Sequence, residues 1–181
     1  MKNIYFDNAA TTRIDSNVLE SMNSVLCETY GNPSSTHSFG RESRSIIENV
    51  RKSISKELNI SPSELFFNSG GTESDNTVLI SAVRDLNVKR IITTKIEHHA
   101  VGHTAECLKD SSNIEVIYLS TDEFGNPSIS ELKEHLKSNV KTLVSLMHAN
   151  NEIGNILPLK EVGVISMFCT YNLIIKPFCF V

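Results

Sequence analysis

Tryptophan is absent from this 181-residue chain, and cysteine occurs only four times, at Cys27, Cys107, Cys169 and Cys179. None of these forms a C-x-x-C pair, so neither a zinc ribbon nor a disulfide framework is suggested. A surplus of basic charge is also missing. The formal net charge is −4, and there is no basic patch with interleaved aromatics. That argues against a nucleic-acid binder driven by phosphate neutralisation. The N-terminus lacks the apolar stretch of a secretory leader, because Asp7 and Asn8 interrupt it. The expected location is therefore the cytoplasm.

What is present is ordinary for a soluble globular chain: 40% hydrophobic and 21% charged residues. The length suits one domain or part of a larger one, with room for a real core. After an extended arm (1–15), a helical stretch runs from about Ser16 to Thr29, and a second, amphipathic helix covers Arg41 to Leu58. Between them lies a loop, Tyr30 to Gly40, rich in Gly, Asn, Pro and Ser. Leu65-Phe66-Phe67 reads as a short buried strand. From there strand and helix patterns alternate: strands at Arg90–Thr94, Ile114–Leu119 and Thr142–Met147, and helices after Thr72, at His98–Lys109 and at Ser128–Lys137. Such alternation predicts an α/β domain with a mostly parallel sheet flanked by helices.

Three segments carry chemistry. Ser69-Gly70-Gly71-Thr72-Glu73-Ser74 opens a helix; glycines allow close backbone approach, and the helix start favours a phosphate. A plain strand-to-helix turn explains this stretch equally well on its own. Glu97-His98-His99 and His148-Ala149-Asn150-Asn151-Glu152-Ile153-Gly154 each follow a strand end, where parallel α/β sheets bind ligands. Taken together they suggest one crevice for a flat ligand bearing a phosphate. The phosphate would sit at Gly71-Thr72 and the ring near His98 and Asn151. A rival is zinc on two of His99, His103 and Cys107. One straight helix spreads the outer pair roughly 12 Å apart, too far for all three to share a metal.

The chain resembles the cysteine desulfurases of the class V aminotransferase family. The resemblance rests on six stretches in register: Tyr5 to Thr12, Tyr30 to Ser35, His37 with Phe39-Gly40, Ser69 to Asn76, Glu97 to Val101, and Met147 to Gly154. It runs from about residue 3 to about residue 163. It implies the large domain of a fold-type I transferase dependent on pyridoxal 5′-phosphate (PLP), usually a homodimer. Such enzymes remove sulfur from L-cysteine, leaving L-alanine and a persulfide. The sulfur goes to an acceptor protein, for iron–sulfur cluster assembly or tRNA thiolation. By resemblance, the Gly71 and Thr72 backbone would hold the PLP phosphate. His98 would stack on the pyridine ring, and Asn151 would hydrogen-bond near the phenolic oxygen and the substrate. Neither nucleic acid nor membrane is an expected partner.

Several residues that the resemblance calls for have no counterpart. These are an Asp and a Gln beyond the point of divergence, the lysine of a Ser-x-His-Lys segment that forms the Schiff base, and the persulfide cysteine. Lys176 lies in Ile-Ile-Lys-Pro-Phe, and Cys169 and Cys179 fall too early. No catalytic nucleophile is therefore assigned, and the chain is expected to be a truncated large domain (16–163), inactive alone. A non-catalytic remnant that pairs with a full-length subunit, or a small zinc-binding α/β domain, are the alternatives. From Val164 to Val181, 13 of 18 residues are apolar and none is acidic. Thr170, Asn172, Lys176 and Pro177 interrupt this run, which falls short of the roughly 20 residues a membrane span needs. The tail reads instead as out-of-frame or replaced sequence. Reading the coding DNA beyond codon 163 in all three frames checks this. An Asp-x-x-Gln and then a Ser-x-His-Lys segment are expected in another frame, and their absence from every frame contradicts it.

Overall fold

The computed structural model describes residues 3–167 and 172–175. Contacts divide the chain into two compact units, 11–67 and 1–10 together with 68–181. Each is described by itself.

The smaller unit is helical. Helix α1 (Ser16–Glu28) begins where the Asp15 carboxylate accepts the Asn17 N–H at 2.8 Å, and every residue along it is exposed. Helix α2 (Ser38–Leu58) is capped by the His37 ring, which accepts the Gly40 N–H, and ends at Asn59 in the left-handed conformation. Gly40 has to be glycine on packing grounds, because a Cβ there would lie 2.4 Å from the Ser35 carbonyl oxygen. The expected strand at Leu65-Phe66-Phe67 does not form. A 3₁₀ turn with a capping box (Pro62–Glu64) leads straight into these residues, and the Leu65 carbonyl accepts from the Arg51 guanidinium rather than from a neighbouring strand. That guanidinium also lies 4.7 Å from the centre of the Phe67 ring. Phe66 is 80% exposed.

The larger unit is the α/β domain that the alternation predicts. Its strands are β1 (Arg90–Thr94), β2 (Glu115–Leu119), β3 (Thr142–Ser145) and β4 (Asn172–Ile175). They lie in the order β2-β1-β3-β4, and every pairing is parallel. The helices α3 (Gly71–Arg84), α4 (His99–Ser112), α5 (Ile129–Leu136) and α6 (Leu159–Met167) alternate with the strands. Successive side chains of a strand point to opposite faces, and two separate cores result. Ile91 and its register partner Leu143 pack with Leu79 of α3 and Val101 and Leu108 of α4. Ile92 and its partner Val144 pack with Leu132 and Leu136 of α5 and Val162 of α6. Both faces of β1 and β3 are therefore covered, which explains why Ile91, Ile92, Leu143 and Val144 are all fully buried. The entry of β1 is fixed by Arg90, which pairs with Glu115 at 2.6 Å and donates to the His135 carbonyl at 3.1 Å.

Helix α6 crosses residue 163, and β4 lies wholly within the apolar tail. The rest of the tail, including Cys169, Thr170, Lys176, Pro177 and Cys179, lies outside the described residues. No helix among the described residues is long and apolar enough to cross a membrane.

Because Leu143 is fully buried in the central strand, Leu143→Ala is expected to cost about 2–5 kcal/mol of stability. Urea unfolding followed by circular dichroism measures it, and a loss below about 1 kcal/mol would mean that the β1–β3 core is not packed as described.

Candidate functional site

The carboxyl ends of β1 and β3 lie side by side, and beyond them side chains take over from the ladder. Glu97 Oε1 accepts the Met147 N–H at 2.6 Å. Asn150 Nδ2 donates to the Ile96 carbonyl at 2.8 Å. Asn150 is nearly fully engaged: its Oδ1 accepts the N–H groups of Glu152 (2.8 Å) and Ile153 (3.1 Å), and its own N–H donates to the Asn155 carbonyl at 3.1 Å. Asn155 Nδ2 in turn donates to the Gly125 carbonyl at 2.7 Å. These bonds fold residues 148–155 into a compact turn over the sheet edge.

A cleft of about 300 Å³ opens beside this turn, at the lower end of the range for small-molecule sites. Its walls include Ala9, Ala10, Glu97, His98, Asn151 and Glu152. His98 and Asn151, both singled out in the sequence, thus face one space. His98 is the N-cap of α4 rather than its first helical residue. Its Nδ1 accepts the Ala100 N–H at 3.1 Å. Asn151 is exposed and makes a single long bond, donating to the Ala9 carbonyl at 3.2 Å.

Gly71 and Thr72 are not among the cleft walls. They open α3, preceded by Gly70 with φ +154° and ψ −178°, a region essentially restricted to glycine. Among the described residues the N–H groups of Gly71, Thr72 and Glu73 find no acceptor, as expected for the first turn of a helix. The loop before it is braced by Glu73, whose carboxylate accepts both the Ser69 N–H (2.7 Å) and the Ser69 hydroxyl (2.6 Å). Those bonds hold the Glu73 carboxyl below its ordinary range. One turn further along α3, the buried Asp75 lies close enough to His98 for their charges to interact, and this links the start of α3 with the cleft. Burial raises the Asp75 carboxyl above its usual value, partly offset by His98.

Glu97 and Asn150 are the site residues whose roles the sequence did not reveal. Each sits inside a motif that was recognised, but the signal there was a histidine and an amide pair, not a carboxylate and an amide bridging two strand ends. As for zinc, the rings of His99 and His103 are 5.3 Å apart, and among the described residues no group of three or more His, Cys, Asp or Glu side chains could hold a metal.

Comparison with known proteins agrees with this architecture. The aminotransferase class-V family model matches residues 4–169, and the chain belongs to that family. It is 44% identical over 166 residues to the putative cysteine desulfurase IscS 1 of Bacillus subtilis (strain 168), covering 90% of this chain and 43% of that protein. Against the cysteine desulfurase IscS of Clostridium botulinum (strain Kyoto) it is 43% identical, covering 90% and 41% respectively. The structure of a NifS-like protein superposes with a TM-score of 0.89 at 38% identity, covering 99% of this chain and 52% of the other. That of SspA in complex with cysteine superposes at 0.82 and 32% identity, covering 91% and 47%. The chain therefore spans less than half the length of the curated relatives named here.

Asn150→Ala strands the Ile96 carbonyl and the Glu152 and Ile153 N–H groups. Because Glu152 and Ile153 are exposed and their N–H groups can turn to water, the expected loss is about 1–3 kcal/mol in all. Asn151→Ala should change stability by no more than about 0.5 kcal/mol, as exposed positions do. Paired urea titrations separate the two, and equal losses would contradict the assignment of Asn150 as the brace.

Proposed function

We propose that this chain forms the cofactor-phosphate and ring-face part of a PLP-dependent cysteine desulfurase. The whole protein would convert L-cysteine to L-alanine and pass the sulfur, as a persulfide, to an acceptor protein for iron–sulfur cluster assembly or tRNA thiolation. The observation that carries this reading is the cleft at the ends of β1 and β3, with His98 and Asn151 on its walls, beside the start of α3, which packs against the helix that His98 caps. Family membership and the names of the relatives point the same way.

The residues present fit PLP. The Gly71 and Thr72 N–H groups, at the positive end of the α3 dipole, would receive the phosphate. His98, held by its cap to α4, offers a ring face fixed by a backbone bond rather than by a mobile side chain. Asn151 stands on a turn that Asn150 holds rigid, so its amide can donate to the cofactor's phenolic oxygen or to substrate. When bound, PLP supplies an electron sink for bond cleavage at the substrate α-carbon. Covalent anchoring of the cofactor and the persulfide thiol are assigned to no residue of these 181. A homodimeric whole protein in the cytoplasm completes the proposal.

The test is uptake of PLP by the 181-residue chain, followed by absorbance. Binding is expected to be reversible on dialysis and not fixed by borohydride. Thr72→Ala and His98→Ala should each weaken it by on the order of tenfold, about 1.4 kcal/mol. Borohydride-resistant labelling of a lysine would overturn the absence of an anchor, and binding indifferent to both substitutions would overturn the placement.

A further inference from the structure

Glu97 is placed unlike any other carboxylate in the cleft. Oε1 is fixed by the Met147 N–H, but Oε2 is buried and has no partner. No lysine or arginine pairs with Glu97 or Asp75 among the described residues. Asp75, itself 8% exposed, is near enough for its charge to act on Glu97. His98, His99 and Glu152 line the cleft with Glu97, and the exposed Lys95 and the half-buried His148 follow the two strand ends in sequence. His98 pulls the Asp75 carboxyl back towards its ordinary value. Two interacting carboxyls, one buried at Asp75 and one with a buried oxygen at Glu97, do not both ionise readily without a paired cation, because each charge raises the cost of the other. Glu97, whose Oε2 is buried and bare, keeps the proton.

We propose that Glu97 stands as a neutral carboxylic acid in the folded chain, so that a phosphate-bearing ligand of the cleft meets one buried negative charge, at Asp75, instead of two. Glu97 is a positioning residue in this role: it holds the Met147 backbone through Oε1, and its protonation sets the charge of the wall that an anion must approach. Burial, the main cause, and Asp75 together push the Glu97 carboxyl up to about 7. The sign of the effect follows. Folded Glu97 binds its proton more tightly than unfolded Glu97, so stability is fullest below about pH 4.5 and is lost progressively as pH rises towards about 7. Above that, the ionised carboxylate repels the ligand phosphate.

The inference rests on the proposed function for its ligand but not for its protonation state, and two measurements keep these apart. The first is the ¹³C carboxyl shift of Glu97 in the ligand-free 181-residue chain, followed against pH. A midpoint near neutrality is expected, and one in the ordinary glutamate range overturns the proposal. The second compares Glu97→Gln, which imitates the neutral acid, with the parent chain. The variant's melting temperature should exceed the parent's by a margin that grows from acid to neutral pH, and a constant margin counts against the proposal. The variant-to-parent ratio of PLP affinity should be near one at about pH 6 and rise to on the order of tenfold at about pH 9. A flat ratio with measurable binding overturns the electrostatic role. Failure of both proteins to take up PLP at any pH would instead sink the proposed function, with the carboxyl titration still deciding Glu97.

Discussion

The ladder between β1 and β3 pairs Arg90 to Ile92 with Thr142 to Val144 and then stops, yet the cleft needs the two chains to stay together for several residues more. Two side chains do this. The Glu97 carboxyl takes the Met147 N–H, and the Asn150 amide takes the Ile96 carbonyl. Both satisfy backbone groups that would otherwise be left bare as the strands part. The 148–155 turn that carries Asn151 is held by the same Asn150 side chain. Without it the strand ends would be loops, and loops position side chains poorly.

Charge is distributed around the clip with little slack. The start of α3 contributes first-turn N–H donors and the positive end of a helix dipole. The same unit holds the buried Asp75 and the Glu97 carboxyl with its buried Oε2, both raised by burial. An anion site beside acidic groups works only if the acids are kept quiet, and burial does so by making ionisation costly. The same burial serves the fold at Asp75, which lies buried on α3, a helix of one of the two cores.

The sequence made the sheet legible because β1 and β3, covered on both faces, are unbroken apolar or Thr-rich runs with clear turn signals around them. It misled at Leu65-Phe66-Phe67. There the apolar run alone could not reveal that Arg51 would take the Leu65 carbonyl and lie over Phe67. β4 was hidden for a different reason: Asn172–Ile175 lies in a stretch whose composition suggested replaced sequence, and strand pairing depends on a partner's edge more than on local pattern. At the site, histidines and paired amides after strand ends were readable as chemistry. Glu97 and Asn150 were not, because their importance lies in bonds to Met147 and Ile96, some fifty residues distant in sequence.

The strand order β2-β1-β3-β4 has a kinetic consequence. Arg90 meets Thr142 only after α4, β2 and α5 have been threaded between them. Loops of that length close slowly, and parallel pairing returns little energy until the crossover helices dock. The cleft is therefore among the last features to form as the chain folds. Until β1 and β3 align, the aliphatic side chains of both central strands remain open to other molecules, and the competition between folding and self-association is decided in that interval.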